Sequence, residues 1–518
     1  MRSFVKVFPA VVWVALSVCG CGQERCSPSL IHPYQADKPF QEYSVDLSFY
    51  KSVQERAGQD ANIVLAVAMS GGGYRAANFA AGALLGLEEL KKSNSSSGNA
   101  LSEVDYFSSV SGGGFAVSAY ISTLHDYRYF NGSADGYSFA SAVAPTDAKC
   151  PCEHKPPAQQ KIDPCVRRHL AGVYKDFIGD FFQTLVPFNK LSFDDRSMRF
   201  EQAIDDDALG YRWRKAKLKS IGEPNINNKA TLTLADVFVP AADSNRQVLL
   251  PYWFANATVY RNSEIFPFSP DHLRDYNLAA YFHRKKEIKQ LHTDFNDFVL
   301  RVPLSAGVTS SANFPLAMTP LRFTSRMDPD NPYFNLIDGG IADNLGVITA
   351  TRLLTDHTGK DAARKCLVVV DSYVGEFAPF EKAKGPPLGG DMVMHMMDMG
   401  LDSWRARYRE ITDRICEQNN ITPVYISFDD LVDADFDDLH PFGLTEQDEK
   451  ELCAEKPKNC PSATPFYLLR SISMTAPVFW GEYGLEYQLP KSQQNLLIAA
   501  GRYVVYKKKD QILSALGW

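Results

Sequence analysis

Ile63-Val64-Leu65-Ala66-Val67-Ala68-Met69-Ser70-Gly71-Gly72-Gly73-Tyr74-Arg75 is the stretch that decides the fold. Its apolar run has no polar alternation, which suits a parallel strand covered on both faces. Ser70 and three glycines break the run, and Ala76 to Leu90 then carries a helical apolar pattern. Strand, glycine turn and helix together open an α/β layer fold. The order recurs at once: Val104 to Val110 reads as a second strand, glycines follow Ser111, and a helix is expected near Phe115 to Leu124.

Further strands are expected at Tyr252 to Val259, Leu336 to Ile337, Leu367 to Val370 and Val424 to Phe428. Helices are expected at about Met392 to Arg409 and from Gln493 to Leu513. Strands alternating with helices predict an α/β fold with a mainly parallel sheet. Residues of about 125–235 break the rhythm with helical stretches and few strands, and read as a largely helical insertion. Within it, Phe177, Ile178, Phe181, Phe182, Leu185, Val186 and Phe188 make a dense apolar helix. Core packing is its ordinary meaning, and a lid or membrane-contacting face its functional one.

The chain has 518 residues, 45% of them hydrophobic and 22% charged, so a large packed core is within reach. Lys plus Arg is 54 and Asp plus Glu is 61, a net charge of −7 with no polybasic tract, which argues against a nucleic-acid partner. The N-terminus reads as a targeting segment. Arg2 and Lys6 precede an apolar run from Phe8 to Val18, too short for a comfortable membrane span. Val18-Cys19-Gly20-Cys21 then resembles a bacterial lipobox, with the small Gly20 placing cleavage before Cys21; Cys19 is the rival.

The organisation expected is therefore a lipoprotein signal at 1–20, a tether at 21–59 and one domain at 60–518 with its insertion at about 125–235. The implied location is an exported, membrane-anchored lipoprotein, facing the periplasm, with lipidation at Cys21. Cys150, Cys152, His154 and Cys165 have a zinc reading, but the C-x-C spacing and export favour disulfides or free thiols, as for Cys453 and Cys460.

Ser109-Val110-Ser111-Gly112-Gly113 is the first chemical motif. A nucleophilic serine on a sharp strand-to-helix turn needs small neighbours two residues either side. Gly113 satisfies this, and Ser109 stands where a glycine is usual. The helix N-terminus would aim backbone N–H groups at the serine oxygen. Gly71, Gly72 and Gly73 are the second motif: a glycine loop after a strand exposes N–H groups to an oxyanion, each well-placed donor lowering a barrier by about 2.7–4 kcal/mol. Arg75 would orient this loop, touch an anionic head group or make a surface ion pair. Asp338-Gly339-Gly340 is the third. An aspartate at a strand end, followed by glycines in a geometry closed to other residues, is placed to take the proton of Ser111; Asp343 competes for the role.

Together these motifs resemble the patatin-like phospholipase family. Its G-G-G-x-R loop matches Gly71 to Arg75, its G-x-S-x-G matches Ser109 to Gly113 with the first glycine replaced, and its D-G-G matches Asp338 to Gly340. Trp253 to Thr258 and Ser310 to Pro315 look like two lesser family stretches in the same order. The resemblance implies a three-layer α/β/α sandwich and a Ser–Asp dyad of Ser111 and Asp338 without a histidine. It implies hydrolysis of a lipid ester through an acyl-enzyme, with Gly71 to Gly73 as oxyanion hole, and no metal or cofactor. The partners implied are a lipid ester substrate and a membrane, with no obligate protein partner. Two other readings stand beside it. A Ser–His–Asp hydrolase needs a histidine after the acid, and His357, His395 and His440 are the candidates. A lipid-binding or scaffolding shell with a degraded site does not need all three motifs, so finding Ser111, Asp338 and the glycine loop intact argues against it.

Overall fold

The computed structural model describes residues 59–518 apart from 61, 93–97, 133–135, 144–193, 225, 239–249, 284–285, 290–297, 299–300, 315–317, 357–363, 374–389, 456–463, 473–477, 482–483 and 488. The targeting segment with Cys19 and Cys21, the tether up to residue 58, Cys150, Cys152, His154, Cys165, the Phe177 to Phe188 stretch, His357 and Cys460 lie outside the described residues. Two compact units divide the chain: Met1–Tyr43 with Gly375–Ala406, and Ser44–Val374 with Arg407–Trp518. Everything below concerns the second. Among the described residues no helix is long and apolar enough to cross a membrane.

Five strands form a parallel block: β1 (Ile63–Met69), β2 (Val104–Val110), β3 (Tyr252–Val259), β9 (Arg364–Asp371) and β10 (Ile421–Ser427), in the order β10-β9-β1-β2-β3. Every residue of β1, β2 and β3 is buried, the environment in which Val, Ile, Leu and Phe runs form strands. Beyond β3 the sheet turns antiparallel through β8 (Tyr333–Asp338), β7 (Leu321–Ser325), β5 (Leu278–His283) and β6 (Lys286–Lys289), and β4 (Ile265–Phe268) pairs with β3 off that path. A small hairpin of β11 (Val478–Gly481) and β12 (Gly484–Tyr487) stands apart.

Helices of the second unit include α1 (Gly73–Glu89), α2 (Gly112–Asn131), α3 (Tyr211–Ser220), α4 (Leu304–Ala312), α5 (Val347–Thr355), α6 (Gly390–Gln418, of which only Arg407 onward belongs to this unit), α7 (Lys491–Lys507) and α8 (Lys509–Leu516). The single helix expected from Gln493 to Leu513 is two, because the chain leaves helical dihedrals at Lys508 (φ −94°, ψ 6°). Within residues 125–235 the described elements are helices, α3 among them. Arg214 of α3 is 1% exposed and reaches Asp126 of α2 at 2.7 Å, so a buried ion pair ties α3 to the helix that follows Ser111.

Helices α1 and α7 cross in close contact. A Cβ at Gly82 would sit 2.2 Å from the Ile498 carbonyl oxygen, and one at Gly501 would sit 2.3 Å from that of Phe79. At Gly86 it would meet Val505 at 2.7 Å. Glycines at these positions let two backbones approach to contact. The helix carrying the glycine loop at its start is thereby seated on one near the end of the chain.

Candidate active site

Strand β1 delivers the glycine loop. Gly72 (φ 137°) and Gly73 (φ 57°) take dihedrals that side chains rarely allow. The Gly71 N–H donates to the Asn344 carbonyl at 2.9 Å. Gly72 and Gly73 sit at the start of α1, where N–H groups have no intrahelical acceptor. Ser372, just beyond β9, holds the loop from below: its N–H donates to Ser70 Oγ (2.8 Å) and its hydroxyl to the Gly71 carbonyl (3.1 Å). Arg75 is buried, and its guanidinium donates to the carbonyls of Ser372 (3.1 Å) and Ile472 (3.4 Å). The expectation of a surface ion pair at Arg75 therefore falls. Its guanidinium is turned inward, and two of its hydrogen bonds go to backbone carbonyls.

Strand β2 delivers Ser111. This residue has φ 47° and ψ −123°, a sparsely populated region for a side chain and one that stores on the order of 1–3 kcal/mol of strain. The neighbouring glycines show what holds it there. A Cβ at Gly112 would lie 2.0 Å from the Gly73 carbonyl, and one at Gly113 2.7 Å from that of Ser70. The turn is thus pressed against the glycine loop, and only hydrogen atoms fit between them. Ser109, in the family's glycine position, is fully buried, and its hydroxyl accepts the Trp253 indole N–H at 2.8 Å. Here the side chain has a partner on β3 and fits the strand.

Strand β8 delivers Asp338. Successive residues of β3 pair with both motifs: Asn256 is opposite Val110, and Ala257 is opposite Asp338. The end of β2 and the end of β8 therefore arrive at neighbouring points. A Cβ at Gly339 would lie 2.0 Å from the Asn256 carbonyl and 3.3 Å from Val110. Gly339 itself has ordinary helical dihedrals (φ −66°, ψ −23°). The expectation that an unusual backbone geometry explains these glycines is corrected: close approach excludes a side chain at Gly339, not backbone freedom.

Asp338 is 4% exposed. Its carboxylate accepts the Gly340 N–H at 2.8 Å and is hydrogen-bonded by the Ser111 side chain. Burial pushes its carboxyl up to about 6, and those two hydrogen bonds pull the other way without cancelling it. Asp343 is also buried and also pushed up to about 6. Its oxygens accept the N–H groups of Leu345 (3.0 Å), Gly346 (3.1 Å) and Ile348 (2.9 Å), which makes it the cap of the turn into α5.

One stretch grips both residues of the pair. The Ser111 N–H donates to Ser311 Oγ (2.9 Å), the Gly339 N–H to the Ser311 carbonyl (3.0 Å) and the Asp338 N–H to the Asn313 carbonyl (3.0 Å). Thr258 adds a hydroxyl bond to the Asp338 carbonyl at 2.9 Å. Ser311, Asn313 and Thr258 were legible beforehand only as members of family-like stretches, without roles. Among the described residues no histidine is hydrogen-bonded to Ser111 or Asp338. His440 faces Asp437 and Glu449 instead, each at 3.6 Å.

A family model described as patatin-like phospholipase matches residues 67–351, which contain the glycine loop, Ser111 and Asp338. No curated protein matches the chain significantly. Among solved structures, human GIVD cytosolic phospholipase A2 is similar at 11% identity and a TM-score of 0.32, over 91% of this chain and 64% of that one. This chain thus spans less than two thirds of that protein's chain. The family match covers more than half of the sequence, and on it this chain belongs to the patatin-like phospholipase family.

Proposed function

We propose that the protein is a serine acyl hydrolase that cleaves carboxylic esters of lipids, with Ser111 as nucleophile and Asp338 as its base. The observation that carries this reading is the hydrogen bond between the Ser111 side chain and a buried carboxylate. An ordinary carboxylate, with a pKa of about 3.9, is a poor proton acceptor for a serine. One raised to about 6 is better matched to that task and still ionised at neutral pH.

The steps balance as follows. Ser111 Oγ attacks the ester carbonyl carbon while its proton passes to Asp338, and the carbonyl π electrons move onto oxygen. The Gly72 and Gly73 N–H groups face that oxyanion; the Gly71 N–H is committed to Asn344, so Gly71 serves by lacking a side chain. The tetrahedral adduct collapses, the bond to the leaving alcohol breaks, and that alcohol takes the proton from Asp338. Water then attacks the acyl-enzyme with Asp338 again as base, releasing the fatty acid and restoring Ser111.

Hydrolysis products from phospholipid, lysophospholipid and acylglycerol vesicles, compared between wild type and Ser111→Ala, test the reading and assign the lipid class. Equal product from both proteins in every class would remove the dyad and leave a lipid-binding shell. We further propose attachment to a membrane through a lipidated Cys21, supported by Val18-Cys19-Gly20-Cys21 after a short apolar run. Metabolic labelling with a fatty acid, retained by Cys21→Ala and lost by Cys19→Ala, would reassign the anchor.

A further inference from the structure

Asn344 follows the Asp338 turn and is 9% exposed. Its backbone carbonyl already binds the glycine loop through Gly71. Its side chain has a more specific setting. A Cβ at Gly71 would lie 2.4 Å from Asn344 Oδ1 and 3.3 Å from Ser111 Cβ. A Cβ at Gly340 would lie 2.8 Å from the same Oδ1 and 3.0 Å from Asp338 Oδ1. Two glycines from two different motifs are thus cut away around one amide, and that amide sits beside both members of the dyad.

Among the described residues the Asn344 side chain has no hydrogen-bond partner. Its amide atoms are not sealed from solvent, so the group stays open to a ligand beside Ser111 and Asp338. A half-turn of its terminal torsion exchanges Oδ1 and Nδ2 within the same space, so the slot between the glycines holds a donor as readily as an acceptor. We infer that Asn344 Nδ2–H is a further donor to the substrate's carbonyl oxygen, strengthening as that oxygen becomes an oxyanion beside the Gly72 and Gly73 N–H groups. On this reading Gly71 and Gly340 are glycines because the amide occupies their side-chain space. The inference rests on the acyl-hydrolase reading above.

The test uses the full chain, a short-chain nitrophenyl ester and a trifluoromethyl ketone as transition-state analogue. Asn344→Ala is expected to lower kcat by about 10²–10³-fold with KM changed by less than about threefold. Affinity for the ketone should fall in step, with the melting temperature unchanged. Asn344→Asp keeps the shape but places a second carboxylate beside Asp338. It should lose similar activity and move the acidic limb of the rate profile to higher pH, a shift that lost packing would not cause. A kcat within about threefold of wild type in both variants, or lost kcat with unaltered ketone affinity, would overturn the inference. If Asn344→Ala does not fold, the isosteric Asn344→Asp decides alone, and an unmoved acidic limb there counts against the role. A wild type that neither hydrolyses the ester nor binds the ketone would instead sink the hydrolase reading and this inference with it.

Discussion

Asp338 and Asp343 lie within one turn region, both buried and both with a carboxyl raised to about 6 by burial. Titration alone does not tell them apart. Their hydrogen bonds do. The Asp343 carboxylate is occupied by the N–H groups of Leu345, Gly346 and Ile348, all from the backbone that follows it. Asp338 takes one such bond, from Gly340, and has the Ser111 side chain as its other partner. A raised carboxyl is thus a base only where its neighbours leave it an acceptor position facing a reacting group. On the proposed function the first aspartate exchanges a proton, while the second holds a turn.

The largest effect that would break this contrast is on turnover. Asp338→Asn is expected to lower kcat by about 10²–10⁴-fold, while Asp343→Asn stays within about threefold if folded. Equal losses in two well-folded variants would erase the distinction. Next comes the pH profile. Because the base must be ionised, kcat should fall about tenfold per pH unit below about pH 6. That limb should persist in Asp343→Asn; its disappearance there would hand the role to Asp343.

Stability sharpens the contrast further. Below the ordinary carboxyl value of 3.8, Asp338 is protonated in the folded and unfolded chain alike. As pH rises, the unfolded chain releases its proton first, and above about 6 the folded protein bears a buried charge. The favourable contribution is therefore present in acid and lost through that window. Asp338→Asn should then gain stability at pH 8, on the order of 3 kcal/mol, read from denaturant midpoints against wild type. In Asp343→Asn an amide N–H would face the Ile348 N–H, a loss of about 1–3 kcal/mol set against the removed charge. Its gain should be the smaller of the two. The smallest effect is at Ser109. Ser109→Gly orphans the Trp253 indole N–H and should cost about 1–3 kcal/mol of stability. A more stable Ser109→Gly protein would show that the serine is tolerated rather than used.

Much of this was legible in the sequence. Strands β1, β2 and β3 were read to the residue: β1 is a continuous apolar run, and β2 and β3 keep enough apolar residues around the buried Asp105, Ser108, Ser109 and Asn256 to read as strands. The antiparallel strands β4 to β7 were not seen. They are short, and β7, with Arg322 exposed between buried Leu321 and Phe323, carries too few alternations to register as a period. Ser111 and Asp338 were legible as candidates because each stands at a strand end followed by glycines, though the reason for the glycines at Asp338 was misjudged. Ser311 was not legible, since Ser310 and Ser311 are adjacent and fully buried, and only the fold decides which hydroxyl meets the Ser111 N–H. Asn344 left no trace because its meaning lies in two glycines elsewhere in the chain.

The glycine seam between α1 and α7 bears on how the protein is made. The ion pair of Arg502 with Glu89 joins the same two helices across 413 positions. A growing chain produces the loop, Ser111 and Asp338 long before it produces the surface on which α1 rests. Ribosome-stalled chains ending before residue 491 should therefore leave a fluorophosphonate probe unreacted, and chains extending past α7 should label. On the proposed function, activity then waits for α7, which is translated well after Ser111 and Asp338.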